Sequence, residues 1–181
     1  IRSDIIALNG IIDDLFELAQ LDAGGLSLEM AHHALADLVS DTLESFQALA
    51  GDQQVSLRGE VAEDLGLVWM CAPKIGRVLA NLVSNALRYT PAGGMVQVTA
   101  VRQAGGVEVT VQDSGPGFEE SDLRRVFEQF YRGEQARSRA AGSGAGLGLA
   151  IARGIVTAHN GRIWAENAAE GGAIVGFFLP G

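Results

Sequence analysis

The chain switches repeatedly between two hydrophobic periods, and the switches mark its elements. Ile1, Ile5, Leu8, Ile12, Leu15 and Ala19 step by four and three, a heptad stripe that ends at the Ala-Gly-Gly of residues 23–25. Such a stripe predicts a helix that packs against another helix. A short apolar alternation through Leu26, Leu28 and Met30 reads as a first strand, and a helical pattern runs from about Ala34 to Ala50. Two strand-like stretches, Val55 to Val61 and Leu67 to Met70, precede an amphipathic helix opening at Pro73, a residue suited to a first turn. Val96, Val98 and Ala100 then alternate with polar positions. Val107, Val109 and Val111 do the same after Ala104-Gly105-Gly106, which predicts a hairpin with one face buried.

Residues 128–145 lose all periodicity and gather Gly, Ser, Ala and Arg, so a loop is expected there, mobile until a ligand orders it. A helical face returns with Leu147, Ala150, Ile151, Gly154, Ile155 and Ala158, and "GRIWAENA" and "GGAIVGFFLP" close the chain as two strands. Helices and strands are interspersed without regular βαβ alternation. The expected class is an α/β (α+β) two-layer sandwich, a mixed β-sheet covered on one face by helices.

Composition narrows the function. With 181 residues and 48% hydrophobic content, the chain can build one packed domain plus an appendage. Thirteen basic against 22 acidic side chains give a net charge of -9, which excludes a general nucleic-acid or anionic-membrane binder. Any phosphate site must be local. The single cysteine, Cys71, sits beside Val68, Trp69 and Met70 and reads as a buried thiol. No apolar run approaches the roughly 20 residues needed to cross a bilayer, so this segment is not expected to be membrane-inserted. Ile1 falls inside a periodic segment, as expected for a piece of a longer protein.

Three segments carry candidate chemistry. In "RVLANLVSNALRYT", Ile75, Val78, Leu79, Leu82, Val83 and Ala86 share one helical face, while Asn81, Asn85 and Arg88 form a stripe at its flank. Amide oxygens suit Mg²⁺ that already carries nucleotide phosphates, and an arginine one turn on can meet phosphate oxygens. In "VQDSGPGF" a strand delivers Asp113 into a loop with Gly115 and Gly117. A carboxylate there can accept from an exocyclic amine, and glycines let a flat base approach the backbone. In "GSGAGLGLAIARGIV" glycines 142, 144, 146 and 148 run into a helix, whose first N–H groups form an anion cradle. A dinucleotide fingerprint would need a preceding strand, and a P-loop would need Gly-Lys-Ser/Thr. Neither is present.

Taken in order, these segments resemble the N, G1 and G2 boxes of the GHKL superfamily, specifically the catalytic ATP-binding domain of sensor histidine kinases. The likeness covers essentially the whole chain. "VFEQFYR", with Phe127 and Phe130, resembles the F box, and "LAQLDAGGLSLEM" resembles the end of the dimerisation helix entering the first strand of the ATP domain. The resemblance implies residues 1–25 as the last part of the dimerisation hairpin and 26–181 as the catalytic domain. It implies ATP and Mg²⁺ as ligands, Asn85 as the principal metal ligand with Asn81 assisting, and Asn81 and Arg88 as catalytic. Arg88 and Tyr89 would face the phosphates, and Asp113, Gly115, Gly117 and Phe118 would shape the adenine pocket. Gly144, Gly146, Leu147 and Gly148 would hold the phosphates, with Phe127, Phe130 and Arg132 anchoring or sensing the loop. A homodimer through the N-terminal helix, a response-regulator receiver domain as partner and a cytoplasmic location are implied too. A non-catalytic module of the same fold, or a serine/threonine kinase or ATPase of the superfamily, is the alternative.

Three departures stand out. None of His32, His33 and His159 has the setting of a phosphate acceptor, so all three read as structural, and the acceptor helix is expected upstream. Ala173 stands where relatives often place Thr or Ser to support the adenine-reading aspartate, which predicts a weakened support for Asp113. Ala72, before Pro73, replaces a frequent acidic residue and forgoes a capping contact of about 0.5–2 kcal/mol.

Overall fold

A computed structural model describes residues 2–131 and 146–181, with backbone only for 2–9. Its elements are α1 (Arg2–Asp22), β1 (Ala31–Ala34), α2 (Leu35–Asp52), β2 (Ser56–Val61), β3 (Leu67–Met70), α3 (Ala72–Tyr89), β4 (Met95–Gln103), β5 (Gly106–Asp113), α4 (Gly148–Ala158), β6 (Arg162–Asn167) and β7 (Ala173–Pro180). Five strands form a mixed sheet in the order β2-β4-β5-β7-β6, in which β2 runs parallel to β4 and every other pair is antiparallel. β1 and β3 make a separate antiparallel ribbon.

The period-2 valines do what their spacing predicts. Val96, Val98, Ala100, Val107, Val109, Val111 and Phe177 are buried on the face that meets Leu35, Ile75, Leu79, Leu82, Ile151 and Ile155 of the helices. One sheet face thus shares a single core with α2, α3 and α4. On the other face Trp164 of β6 lies across Gly176 of β7, where an added Cβ would come within 2.4 Å of the indole. The glycine makes room for the ring, and the guanidinium of Arg162 stacks on Phe178 at 4.5 Å beside it.

The stretch Leu26–Met30 is not a strand: pairing begins at Ala31, opposite Met70. Its apolar side chains pack down without a partner backbone. The F-box-like segment forms consecutive turns rather than a helix. Most of the aperiodic loop, including Arg132 and Gly144, lies outside the described residues.

α1 docks on the domain by a face that its heptad stripe does not reveal. Leu18 enters the core, and Leu21 sits over Gly154 of α4, where a Cβ would approach its methyl at 2.7 Å. Buried Glu17 pairs with Lys74 at 2.5 Å and with Arg77, which also meets Asp14 at 2.5 Å. Ile12, Leu15 and Phe16 remain exposed. The described part of the predicted helix-packing stripe, Ile12, Leu15 and Ala19, is therefore left open, while a mixed ionic and apolar face holds α1 to α3 and α4.

Candidate functional site

α3 forms where apolar residues recur every three to four positions, and all six residues of the predicted stripe are buried, together with Leu87. This orientation leaves Asn81 and Asn85 half-buried at the flank and Arg88 exposed. The Nδ2 group of Asn81 donates to the carbonyl of Gly148 at 3.0 Å, joining the middle of α3 to the first residue of α4. The carboxamide of Asn85 has no hydrogen-bond partner among the described residues and is open to a ligand.

Asp113 is the last residue of β5, the middle strand of the sheet, and is held in register opposite Val96. Its Oδ1 accepts from the Gly115 N–H at 2.8 Å and from the Ala173 N–H at 3.2 Å. Burial raises the carboxyl pKa above its ordinary value, and those two backbone donors partly oppose the rise. Oδ2 has no partner among the described residues, so it can accept from an amine. Ala173 supports Asp113 through its main-chain N–H and brings no side-chain hydroxyl, because β7 lays its backbone beside the carboxylate.

The glycines that follow are required by close packing. A Cβ on Gly115 would stand 2.7 Å from the carbonyl oxygen of Tyr89, the last residue of α3. Gly117 has φ +77°, and a Cβ there would stand 2.7 Å from Asn167 Oδ1. Asn167 itself was not foreseen. Its Oδ1 accepts from the Phe118 N–H at 2.7 Å and its Nδ2 donates to the Phe118 carbonyl at 2.9 Å, so it pins the loop like a strand partner. Nothing local in "WAENA" signals this, since the contact spans 49 positions. Gly172 also proves necessary, because a Cβ would come within 1.9 Å of the Asp113 carbonyl oxygen.

At the third segment, the Phe130 N–H donates to the Gly146 carbonyl at 3.1 Å. A Cβ on Gly146, at φ +74°, would stand 2.8 Å from the Tyr131 carbonyl oxygen. Leu147 is fully buried, so its side chain anchors the start of α4 and only its backbone is available to a phosphate. Phe127 is buried in the core and Phe130 is exposed. Tyr131 donates its hydroxyl to Asp122, and Arg125 stacks on its ring at 4.3 Å, which stiffens the same neck.

α3 thus touches both other segments, Gly148 through Asn81 and Gly115 through Tyr89, and the three sequence-distant motifs are brought together around it. Residues 71–181 match the family described as histidine kinase-, DNA gyrase B-, and HSP90-like ATPase. The chain belongs to this ATPase family. It is 34% identical over 180 residues to the signal transduction histidine-protein kinase BaeS of Escherichia coli K12, an alignment covering 99% of this chain and 38% of that protein. Full-length ShkA, solved in complex with AMPPNP, superposes with a TM-score of 0.83 at 27% identity over 96% of this chain and 36% of its own. Histidine kinase ThkA, solved in complex with the response regulator protein TrrA, gives 0.75 at 25% identity over 96% of this chain and 48% of its own. The chain spans less than half the length of the curated relatives it matches. It is a histidine kinase-type ATP-binding domain, homologous to sensor kinases of two-component systems. No described helix is long and apolar enough to cross a membrane.

Proposed function

We propose that this domain is the catalytic part of a two-component sensor kinase. In this reading it binds ATP with Mg²⁺ and passes the γ-phosphate to a histidine on the dimerisation domain of its parent, for relay to a response-regulator receiver domain. Residues 1–25 belong to the dimerisation hairpin and 26–181 to the catalytic domain, both on the cytoplasmic side. The observation that carries the reading is the position of α3, whose amide flank meets the Gly148 start of α4 while its C-terminus packs on the Asp113 loop. The exposed Ile12, Leu15 and Phe16 give the helix a face for a second copy.

The residues present fit both ligands. Asp113 Oδ2 is free to accept from the adenine amine, and α4 opens with glycines whose missing side chains leave its N–H groups bare to phosphate. Among the described residues no cluster of three or more His, Cys, Asp or Glu could hold a metal. The neutral amide oxygens of Asn85 and Asn81 suit an Mg²⁺ brought by the phosphates. When bound, that ion neutralises charge on the phosphate chain. Asn85 would ligate it with help from the Asn81 oxygen, while Arg88, Tyr89 and the backbone at Gly146 to Gly148 would orient the phosphates.

The bond from the γ-phosphorus to the β-bridging oxygen breaks as a bond to an imidazole nitrogen forms, and catalysis rests on positioning and charge neutralisation. An amide at Asn81 cannot take a proton from water at neutral pH, so the flank does not promote hydrolysis. The test is calorimetric titration with Mg²⁺–AMPPNP. Asn85→Ala should retain the fold and lose the Mg²⁺-dependent part of binding. The parent protein should gain acid-labile phosphate, and unchanged binding in Asn85→Ala would remove the assignment.

A further inference from the structure

Asn81 has two chemically different ends, and the structure uses only one of them. Its Nδ2 donates to the carbonyl of Gly148, whereas its Oδ1 has no hydrogen-bond partner among the described residues. Gly148 is the first residue of α4, so this bond fixes the turn whose N–H groups would face a phosphate. Two other contacts hold the same turn: buried Leu147 beneath it, and the Phe130 N–H bond to Gly146 ahead of it. The Phe130 bond does not come from the helix that carries Asn85. The Asn81 bond adds a polar tie between the phosphate cradle and α3, one turn from the metal-binding amide, to the apolar packing of α3 on α4. Gly148 and Asn81 are closely packed, since a Cβ on Gly148 would stand 3.6 Å from Asn81 Cγ, in ordinary van der Waals contact.

We infer that Asn81 is a positioning residue: its N–H donor sets the spacing between α3 and the phosphate-binding start of α4, independently of any metal. The inference rests on the nucleotide-site reading above but predicts effects that metal ligation does not. Three variants separate donor from acceptor. Asn81→Ala removes both ends. Asn81→Asp keeps oxygens for Mg²⁺, removes the donor and sets a carboxylate against the Gly148 carbonyl. Asn85→Ala removes the metal-binding amide and leaves the strut.

Binding of ADP is measured in EDTA with adenosine as a control, beside amide exchange of residues 150–152 in nucleotide-free protein and thermal melting. Asn81→Ala should weaken metal-free ADP binding about five- to tenfold, the loss expected for one hydrogen bond, while adenosine binding and the melt stay unchanged. Both Asn81 variants should speed exchange at the α4 start. Asn85→Ala should leave exchange at the α4 start of nucleotide-free protein as in the parent chain. Wild-type exchange and wild-type metal-free affinity in Asn81→Ala, or full recovery of both by Asn81→Asp, would overturn the strut. If instead Asn85→Ala keeps its Mg²⁺-dependent binding while the exchange effect holds, the metal assignment fails and the strut stands.

Discussion

Asp113 shows what a single residue costs and supplies. Its carboxylate is buried, and only two backbone donors compensate, so its pKa lies above the ordinary carboxylate value. The folded state therefore holds this proton more tightly than the unfolded chain does. Stability from this group is greatest below the unfolded value of 3.8, is lost as pH rises through the raised folded value, and stays lost above it. Asn at this position keeps an acceptor for both N–H groups without the buried charge. Asp113→Asn should melt higher than the parent at pH 7, with a gap that closes as pH falls toward 4, while ATP affinity drops at least about tenfold because the amide offers the adenine amine a donor. Melts across pH and nucleotide titration check both halves. The placement of the aspartate and its glycines in a loop at a strand end was legible in the sequence because turn chemistry is a short-range pattern. Asn167 and the N–H of Ala173 were not, since both reach the site only when β6 and β7 are laid beside β5.

Among the elements, α3 was the most legible, since a stripe with no interruption permits only one face inward. Its beginning was less so. The expected acidic cap is missing, and no side chain of its own caps the N-terminus. His159, at the end of α4, takes that place: its Nε2 accepts the Cys71 N–H at 3.1 Å while Nδ1 donates to the Ile155 carbonyl at 2.8 Å. The two partners demand a neutral ring with its proton on Nδ1. His159 is structural, as expected, and acts by hydrogen bonding. His159→Leu strands the buried Cys71 N–H and should cost about 1–3 kcal/mol in urea unfolding, with nucleotide affinity per folded molecule unchanged. His32, by contrast, only stacks on Trp69 at 4.9 Å near the surface.

At the scale of the whole molecule, α1 has two sides with different partners. Its Asp14, Glu17, Leu18 and Leu21 side is committed to α3 and α4, and its Ile12, Leu15 and Phe16 side is free. Gly154 is the contact point that admits α1, so Gly154→Ile should lift the helix by displacing Leu21. Amide exchange along residues 14–22 should then quicken while α3 stays protected, and unchanged exchange would show that Leu18 and the ion pairs hold α1 without Leu21. The sequence by itself determined the order of elements, the inward faces of α3, β4 and β5, and the residue types of the nucleotide motifs. Hydrophobic period and turn chemistry are local properties, and a window of a few residues contains them. Only the tertiary structure decided which atoms meet: Asn81 with Gly148, Ala173 with Asp113, Asn167 with Phe118, Glu17 with Lys74. Those contacts join polar groups far apart in the chain, and polar residues carry no periodic signal, because their partners are chosen by the packing of the core between them.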